Sequence, residues 1–195
     1  MKIIDNFLPV SAAEDIETTM TGEGFPWYYV SDVTRERRVE GAYSQPGFHH
    51  TPFMNYRPQS PFHDYFKMLA MSIKDAIGHD GDLHLFRIRA GLNIANSNSN
   101  KDWKQEYNFP HVDQNSDFVT CKSYTCLYYV NESDGDTFIF DQTEESKNYT
   151  TRHRVTPHKN RVMIFDGEQY HASSSPVVND VRIAITFNFH AEKVI

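Results

Sequence analysis

His111 and Asp113 stand two residues apart. On extended backbone, side chains at i and i+2 point the same way, so an imidazole nitrogen and a carboxylate oxygen can reach one metal ion. His171 is the best candidate for a third ligand. It lies 58 residues beyond Asp113, so only the fold can bring it close. Two His and one carboxylate make the facial set that holds non-haem Fe(II) and leaves positions open for other ligands. The plainer alternative is a surface loop with two solvated polar residues, because short motifs recur by chance in a chain with ten His.

Arg182 adds a second piece of chemistry. In Val181–His190, Ile183, Ile185, Phe187 and Phe189 alternate with Arg182, Ala184, Thr186 and Asn188, the period of a strand. An Arg on such a strand is costly to bury without an anionic partner. Its planar fork matches a carboxylate. The alternative is a structural salt bridge to one of the chain's own acids. Together these residues suggest a metal site and a carboxylate clamp on one β core.

The elements that must position them can be followed along the chain. Residues 3–10 read as a short strand ending at Pro9. Ser11-Ala-Ala-Glu14 has the pattern of a capping box opening a helix to about Met20. Residues 25–58 alternate short strand-like runs with loops: Phe25–Val30, the charged Arg35–Arg38, then Tyr43, Phe48, Phe53 and Tyr56 among prolines and glycine. Long loops of this kind often form lids or binding loops. Ser60-Pro61 opens a second helix as cap and first residue. Phe62, Phe66, Leu69, Ile73 and Ile77 share one face, and Gly78 ends it. This helix is expected to cover a sheet. From Leu83 the period becomes two, with Arg87, Arg89, Gly91 and Asn93 on the polar face. Asn96–Asn100 is a loop. Strands follow at about 122–130 and 136–140, joined by the turn Asn131–Gly135. Residues 141–153 read as a surface excursion, Arg161–Phe165 as a buried strand, and Ser173–Asp180 as a loop.

Short strands behind two helices, without βαβ alternation, indicate a mainly β chain with a double-sheet core. The two helices of the N-terminal half pack on one sheet. A chain of 195 residues without an internal linker suggests one domain, 1–195, with its core at about 83–190. Hydrophobic residues are 39% and charged residues 23%, a globular composition. The net charge of −7 argues against nucleic acid or anionic membrane as a partner. No apolar run approaches the roughly 20 residues of a membrane span. The opening MKIIDNFLPV does not read as a secretory signal. Cys121 and Cys126 would face opposite sides of a strand, so they are expected to be free thiols in a reducing cytoplasm. The sequence carries no signal for oligomeric state.

The order of these motifs resembles a known family. His-x-Asp is followed by Tyr124-Thr-Cys-Leu-Tyr-Tyr-Val-Asn131, Gly135-Asp-Thr137, the distal His171, and Arg182-Ile-Ala-Ile-Thr-Phe187. This is similar to the Fe(II)/2-oxoglutarate-dependent dioxygenases, and within them to the prolyl 4-hydroxylase branch, including the hypoxia-type prolyl hydroxylases. The opening Ile4-Asp-Asn-Phe-Leu-Pro9 also looks like the start of such domains, here in a small stand-alone form of the bacterial and phage-encoded type. The resemblance implies a double-stranded β-helix of the jelly-roll or cupin-like kind. It implies that His111, Asp113 and His171 bind Fe(II), and that Arg182 pairs with the distal carboxylate of 2-oxoglutarate. Tyr129 would donate its hydroxyl to the same end, with Thr186 and Asn93 as further cosubstrate candidates.

The implied activity is O2-dependent hydroxylation of a C–H bond, most specifically of a prolyl residue in a peptide or protein, with release of succinate and CO2. Ascorbate is a candidate accessory, and a small-molecule substrate is the other option. No protein acid or base beyond the metal ligands is required. Two departures bear on the substrate. Collagen-type enzymes use Lys where Arg182 stands, whereas hypoxia-type and many microbial members use Arg. The last strand reads Phe187-Asn188-Phe189, with no plain counterpart of the aromatic residue often found beside the iron in hypoxia-type enzymes.

The rival readings are a non-enzymatic jelly-roll binding or sensor module, and a cupin-type metalloenzyme without 2-oxoglutarate. Among other residues, His49 and His50 diverge on a strand and suit a surface role, and His190 is near the terminus. Trp103 and Tyr107 line a substrate mouth or pack. Arg152 and Arg154 bind an acidic substrate or are solvated charges.

Overall fold

The computed structural model describes residues 1–34, 45–95, 106–113 and 121–192. The expectations for Arg35–Arg38, Tyr43, Asn96–Asn100 and Trp103 lie outside the described residues. In chain order the elements are β1 (Lys2–Ile4), α1 (Val10–Thr21), β2 (Tyr28–Val30), β3 (Gly47–Met54), β4 (Arg57–Pro58), α2 (Phe62–Ile77) and β5 (His84–Ile94). Then come β6 (Ser123–Tyr129), β7 (Thr137–Phe140), β8 (Thr151–Val155), β9 (Arg161–Asp166), β10 (His171–Ser173) and β11 (Val181–His190). All pairings are antiparallel.

The larger sheet runs β1-β9-β6-β11-β5-β3-β2, with β4 beside β3. The smaller runs β10-β7-β8. An isolated bridge between His111 and His171 extends the smaller sheet at its β10 edge. Two facing antiparallel sheets with these crossed connections form the jelly-roll core that the motif order implied.

Alternation along β11 decides which side of the larger sheet is which. Ile183, Ile185, Phe187 and Phe189 join Ile16 and Met20 of α1 and Phe66, Leu69 and Ile73 of α2 in one core. Each large apolar side chain buried there contributes about 1.5–3 kcal/mol, so both helices are fastened to the outer face of the larger sheet. Gly78 closes α2 in the left-handed conformation, φ 70°, where a side chain would be strained. Between the sheets, Leu127, Tyr129, Ile139, Met163, Phe165 and Ala184 fill a second core. Phe138 and Phe140 turn to the outer face of the smaller sheet, where Tyr107, Tyr149 and Tyr170 cover them.

Several local expectations change. Helix α1 starts at Val10, not after Ser11. The Pro9 carbonyl accepts from the Ala12 and Ala13 amides at 3.0 and 3.1 Å, which puts Ser11 inside the first turn, so no side-chain cap forms. The Ser60 hydroxyl also does not cap α2; it pairs with His50 Nε2 at 2.8 Å. His50 is accordingly a buried core residue and not a surface one, and burial pulls its pKa down. The excursion expected at 141–153 ends earlier, because Thr151 already begins β8, which pairs with β7. Cys121 and Cys126 are free, as expected. No helix among the described residues is long and apolar enough to cross a membrane.

Candidate metal centre

The polar faces of β5 and β11 lie side by side in register. Arg87 is opposite Asn188, Arg89 opposite Thr186, Gly91 opposite Ala184, and Asn93 opposite Arg182. The last three of these rungs form one wall of a cleft. The smaller sheet supplies the other wall through Thr137, His171 and Ser173, and His111 and Asp113 close one end.

His111, Asp113 and His171 converge there, with one potential ligand atom from each lying within 4.8 Å of the others. Asp113 Oδ1 is 3.8 Å from both His111 Nε2 and His171 Nε2. The smaller sheet sets the two imidazoles: reciprocal backbone bonds join His111 and His171 at 3.0 and 2.9 Å. Each Nδ1 lies against a carbonyl two residues back, that of Phe109 at 3.1 Å for His111 and that of Gln169 at 3.0 Å for His171. Such a bond is made by Nδ1–H, which leaves the Nε2 lone pair of both rings facing the cleft. Burial, with the neighbouring His171 and Arg89, holds His111 down at about 4, against the opposing effect of Asp113 and the Phe109 carbonyl. The ring is therefore neutral near pH 7.

Asp113 is held from behind by residues the sequence reading did not single out. Arg87 Nη2 forms an ion pair with Oδ1 at 2.6 Å, and Asn188 Nδ2 donates to Oδ2 at 3.0 Å. Burial pushes this carboxyl up, but the charge of Arg87, the two imidazoles and the Asn188 bond outweigh it, so its pKa lies well below the usual range. The signal for both residues was present: each occupies the polar face of an alternating strand. What was missing was the register that pairs them.

Arg182 is 4% exposed. Its Nη2 donates to Thr137 Oγ1 at 2.8 Å, and its guanidinium lies 5.6 Å from the Tyr129 ring centre. The Tyr129 hydroxyl donates to the same Thr137 oxygen at 2.8 Å. No carboxylate lies within ion-pair distance of Arg182 among the described residues, and its buried Nε has no hydrogen-bond partner among them. Burial pulls its pKa down, with Tyr129 and Asp136 opposing. A buried guanidinium turned to a cleft without a protein anion suits a ligand carboxylate. The structural salt bridge weighed for Arg182 is absent among the described residues.

Thr186 lines the same cleft, opposite Arg89. Asn93 lines it too, donating to Ser173 Oγ at 3.1 Å. Tyr129 is fully buried behind Thr137. Thr137 lies inside the Gly-Asp-Thr motif, but its acceptance of two donors was not legible there. Tyr107 packs on Phe138 and Phe140. Arg152 pairs with Asp141 at 2.7 Å; Arg154 pairs with Glu106 at 2.7 Å and also with Asp136.

The fold is that of a jelly-roll protein, and the donor set is a candidate two-His, one-carboxylate centre. The 2OG-Fe(II) oxygenase superfamily matches residues 98–190, the stretch that holds all three candidate ligands and Arg182. The family uses Fe(II), 2-oxoglutarate and O2, and the residues present fit these groups: two imidazoles whose Nε2 atoms face the cleft, one carboxylate, and a buried guanidinium with no carboxylate within ion-pair distance among the described residues.

No curated protein sequence matches the chain. Solved structures do match in fold. An oxidoreductase of the 2OG-Fe(II) oxygenase family from Burkholderia pseudomallei superposes with a TM-score of 0.68 at 11% identity, over 97% of this chain and 84% of its own. A prolyl hydroxylase from Trichoplax adhaerens, in complex with a peptide from the hypoxia-inducible factor oxygen degradation domain, gives 0.62 at 16% over 98% and 84%. The α-ketoglutarate-dependent epimerase SnoN from nogalamycin biosynthesis gives 0.61 at 8% over 96% and 77%. At these identities the likeness is one of fold.

Proposed function

We propose that this oxygenase hydroxylates a C–H bond, that of a prolyl residue in a peptide or protein, with 2-oxoglutarate converted to succinate and CO2. The observation that carries the 2-oxoglutarate assignment is Arg182: a buried guanidinium with a free Nε, turned to the same cleft as the His111–Asp113–His171 trio. In this reading His111, Asp113 and His171 hold the iron, and the bound iron, 2-oxoglutarate and O2 supply the oxidation.

The chain's own residues bind, orient and shield. Arg182 neutralises and aligns the distal carboxylate of 2-oxoglutarate. Thr137 accepts from both Arg182 and Tyr129, so its own hydroxyl proton is available to that carboxylate. The Gly91–Ala184 rung, lacking bulk, leaves the floor open next to the Asn93–Arg182 rung. Thr186 and Asn93 offer polar contacts along it. Val33, Thr34 and Phe48 line the cleft from the β2–β3 side and help to keep water from the reacting bond.

Two likenesses support the prolyl assignment: the motif order over roughly residues 83–190, and the fold shared with a prolyl hydroxylase. The fold alone does not choose a substrate, since an epimerase shares it. The test is succinate formation with a panel of proline-containing peptides, followed by mass spectrometry. Peptide-stimulated succinate formation with one oxygen gained at proline is expected. Succinate formation that no prolyl peptide stimulates, but a small molecule does, would replace the prolyl assignment and leave the cosubstrate assignment standing.

A further inference from the structure

Asp113 sits at the end of His-x-Asp, just past the His111 bridge, and among the described residues its carboxylate is met by side chains from outside its own segment. Both oxygens are fixed by side chains of two adjacent strands of the larger sheet. Arg87 Nη2 lies 2.6 Å from Oδ1, and Asn188 Nδ2 donates to Oδ2 at 3.0 Å. The two holders are locked to each other, because Arg87 Nε donates to Asn188 Oδ1 at 2.8 Å, and they face each other in the β5–β11 register. Asn188 is further pinned from the other side by Thr125 Oγ1 at 3.1 Å, its partner in the β6–β11 register. Asn188 is 1% exposed and the Asp113 side chain 7%, so water does not substitute for these contacts.

The arrangement is asymmetric in a way that matters for ligation. Oδ1, beside Arg87 Nη2 on one side, lies 3.8 Å from both imidazole Nε2 atoms, whereas Oδ2 is engaged by the Asn188 amide. A carboxylate free to swing can chelate with both oxygens and use an extra coordination position. Here the Asn188 amide and the Arg87 fork fix the carboxylate plane.

We propose that Arg87 and Asn188 are positioning residues that restrict Asp113 to one-oxygen ligation, so that the metal keeps its open positions for 2-oxoglutarate and O2. The inference rests on the proposed metal site. Arg87 does this through its fork, since Nη2 holds Asp113 while Nε holds Asn188. A lysine in its place keeps the charge and loses the double contact.

The test uses Co(II) in place of iron, with Co(II) and then 2-oxoglutarate titrated into the full chain by calorimetry and visible absorption. In Asn188→Leu, Oδ2 is released, the carboxylate chelates with both oxygens, and one open position is lost. The expected result is 2-oxoglutarate binding weakened by roughly 10–100-fold, the range typical of residues that orient a metal ligand, with Co(II) affinity within about threefold of wild type. Asn188→Ser, smaller and polar, should behave alike and serves where leucine is not accommodated. Arg87→Lys should show the same split with a smaller loss. A residue that merely stabilises the fold would lower the melting temperature without dividing the two affinities. Loss of Co(II) and 2-oxoglutarate binding in parallel, or 2-oxoglutarate binding within twofold of wild type in all three variants, would overturn the inference. Failure of the wild type itself to bind Co(II) would overturn the metal-site reading along with it.

Discussion

Gly135 presses against the side chain of Arg182: a β-carbon at Gly135 would stand 2.9 Å from Arg182 Cδ and 2.8 Å from the Ser174 carbonyl. The glycine of the Gly-Asp-Thr turn therefore leaves the space that the Arg182 side chain occupies. Gly135→Ala should destabilise the protein by about 1–3 kcal/mol, the usual cost of overpacking, and should weaken 2-oxoglutarate binding because Arg182 must shift. Chemical denaturation and calorimetry measure the two effects. An alanine variant with wild-type stability and affinity would remove this role from Gly135.

Gly91 makes the contrasting case. It lines the cleft, but a β-carbon there meets nothing closer than the Ala184 carbonyl at 3.9 Å. Gly91→Ala should leave stability within about 0.5 kcal/mol of wild type. It should nevertheless weaken 2-oxoglutarate binding, because the methyl group occupies the open floor. Unchanged affinity would mean that the cosubstrate does not lie over this rung.

Arg182 offers a test in which stability and binding move in opposite directions. Its burial without a protein carboxylate costs desolvation energy in the ligand-free protein. Arg182→Met should therefore melt no lower than wild type, and 2-oxoglutarate should no longer raise its melting temperature. The lost charge pair should cost at least about 2 kcal/mol of cosubstrate binding, roughly 30-fold in Kd. Cosubstrate binding unchanged in Arg182→Met would refute the clamp.

Much of this arrangement was readable in the sequence, and the unread part has a physical cause. The alternation in Val181–His190 placed Arg182, Thr186 and Asn188 on one face, and the alternation after Leu83 placed Arg87, Arg89, Gly91 and Asn93 on another. Period two reveals faces, but it does not reveal which rung of one strand meets which of the next. Hence His111, Asp113, His171 and Arg182, which the fold brings to one cleft, were nominated by residue type and motif order, whereas the Arg87–Asn188 pair behind Asp113 was not. The capping expectations at Ser11 and Ser60 failed for a related reason: a proline carbonyl claimed one helix start, and a long-range partner, His50, claimed the hydroxyl of the other.

Asp134 predicts a pH dependence away from the cleft. Its carboxylate accepts from the Val177, Val178 and Asn179 amides at 2.9, 2.9 and 3.0 Å, tying down the segment between β10 and β11. Burial opposes these bonds, and they outweigh it, so the carboxyl is held below its ordinary value. A depressed folded-state pKa means that this stability is fully present above the unfolded value, about 3.9, and is lost as pH falls through the folded value. Asp134→Ala should cost about 1–2 kcal/mol at neutral pH, and the difference from wild type should shrink below about pH 4. A difference that stays constant into strong acid would contradict the assignment.

Metal binding should register as stability. An ion that binds only the folded chain at a hundred times its Kd adds about 2.7 kcal/mol. Mn(II) should raise the melting temperature of the wild type and leave that of His171→Ala unchanged, and a chelator should reverse the wild-type shift. An equal shift in both proteins would place the ion elsewhere.

The central claim is that His111, Asp113 and His171 hold iron while Arg182 aligns 2-oxoglutarate in the same cleft. Its most direct test is an anaerobic titration with Fe(II) and then 2-oxoglutarate, followed by visible absorption, with Asp113→Ala beside the wild type. The account predicts a weak metal-to-ligand charge-transfer band in the wild type that is missing in the variant. Iron bound without such a band on adding 2-oxoglutarate, or a band of equal strength in Asp113→Ala, would contradict it.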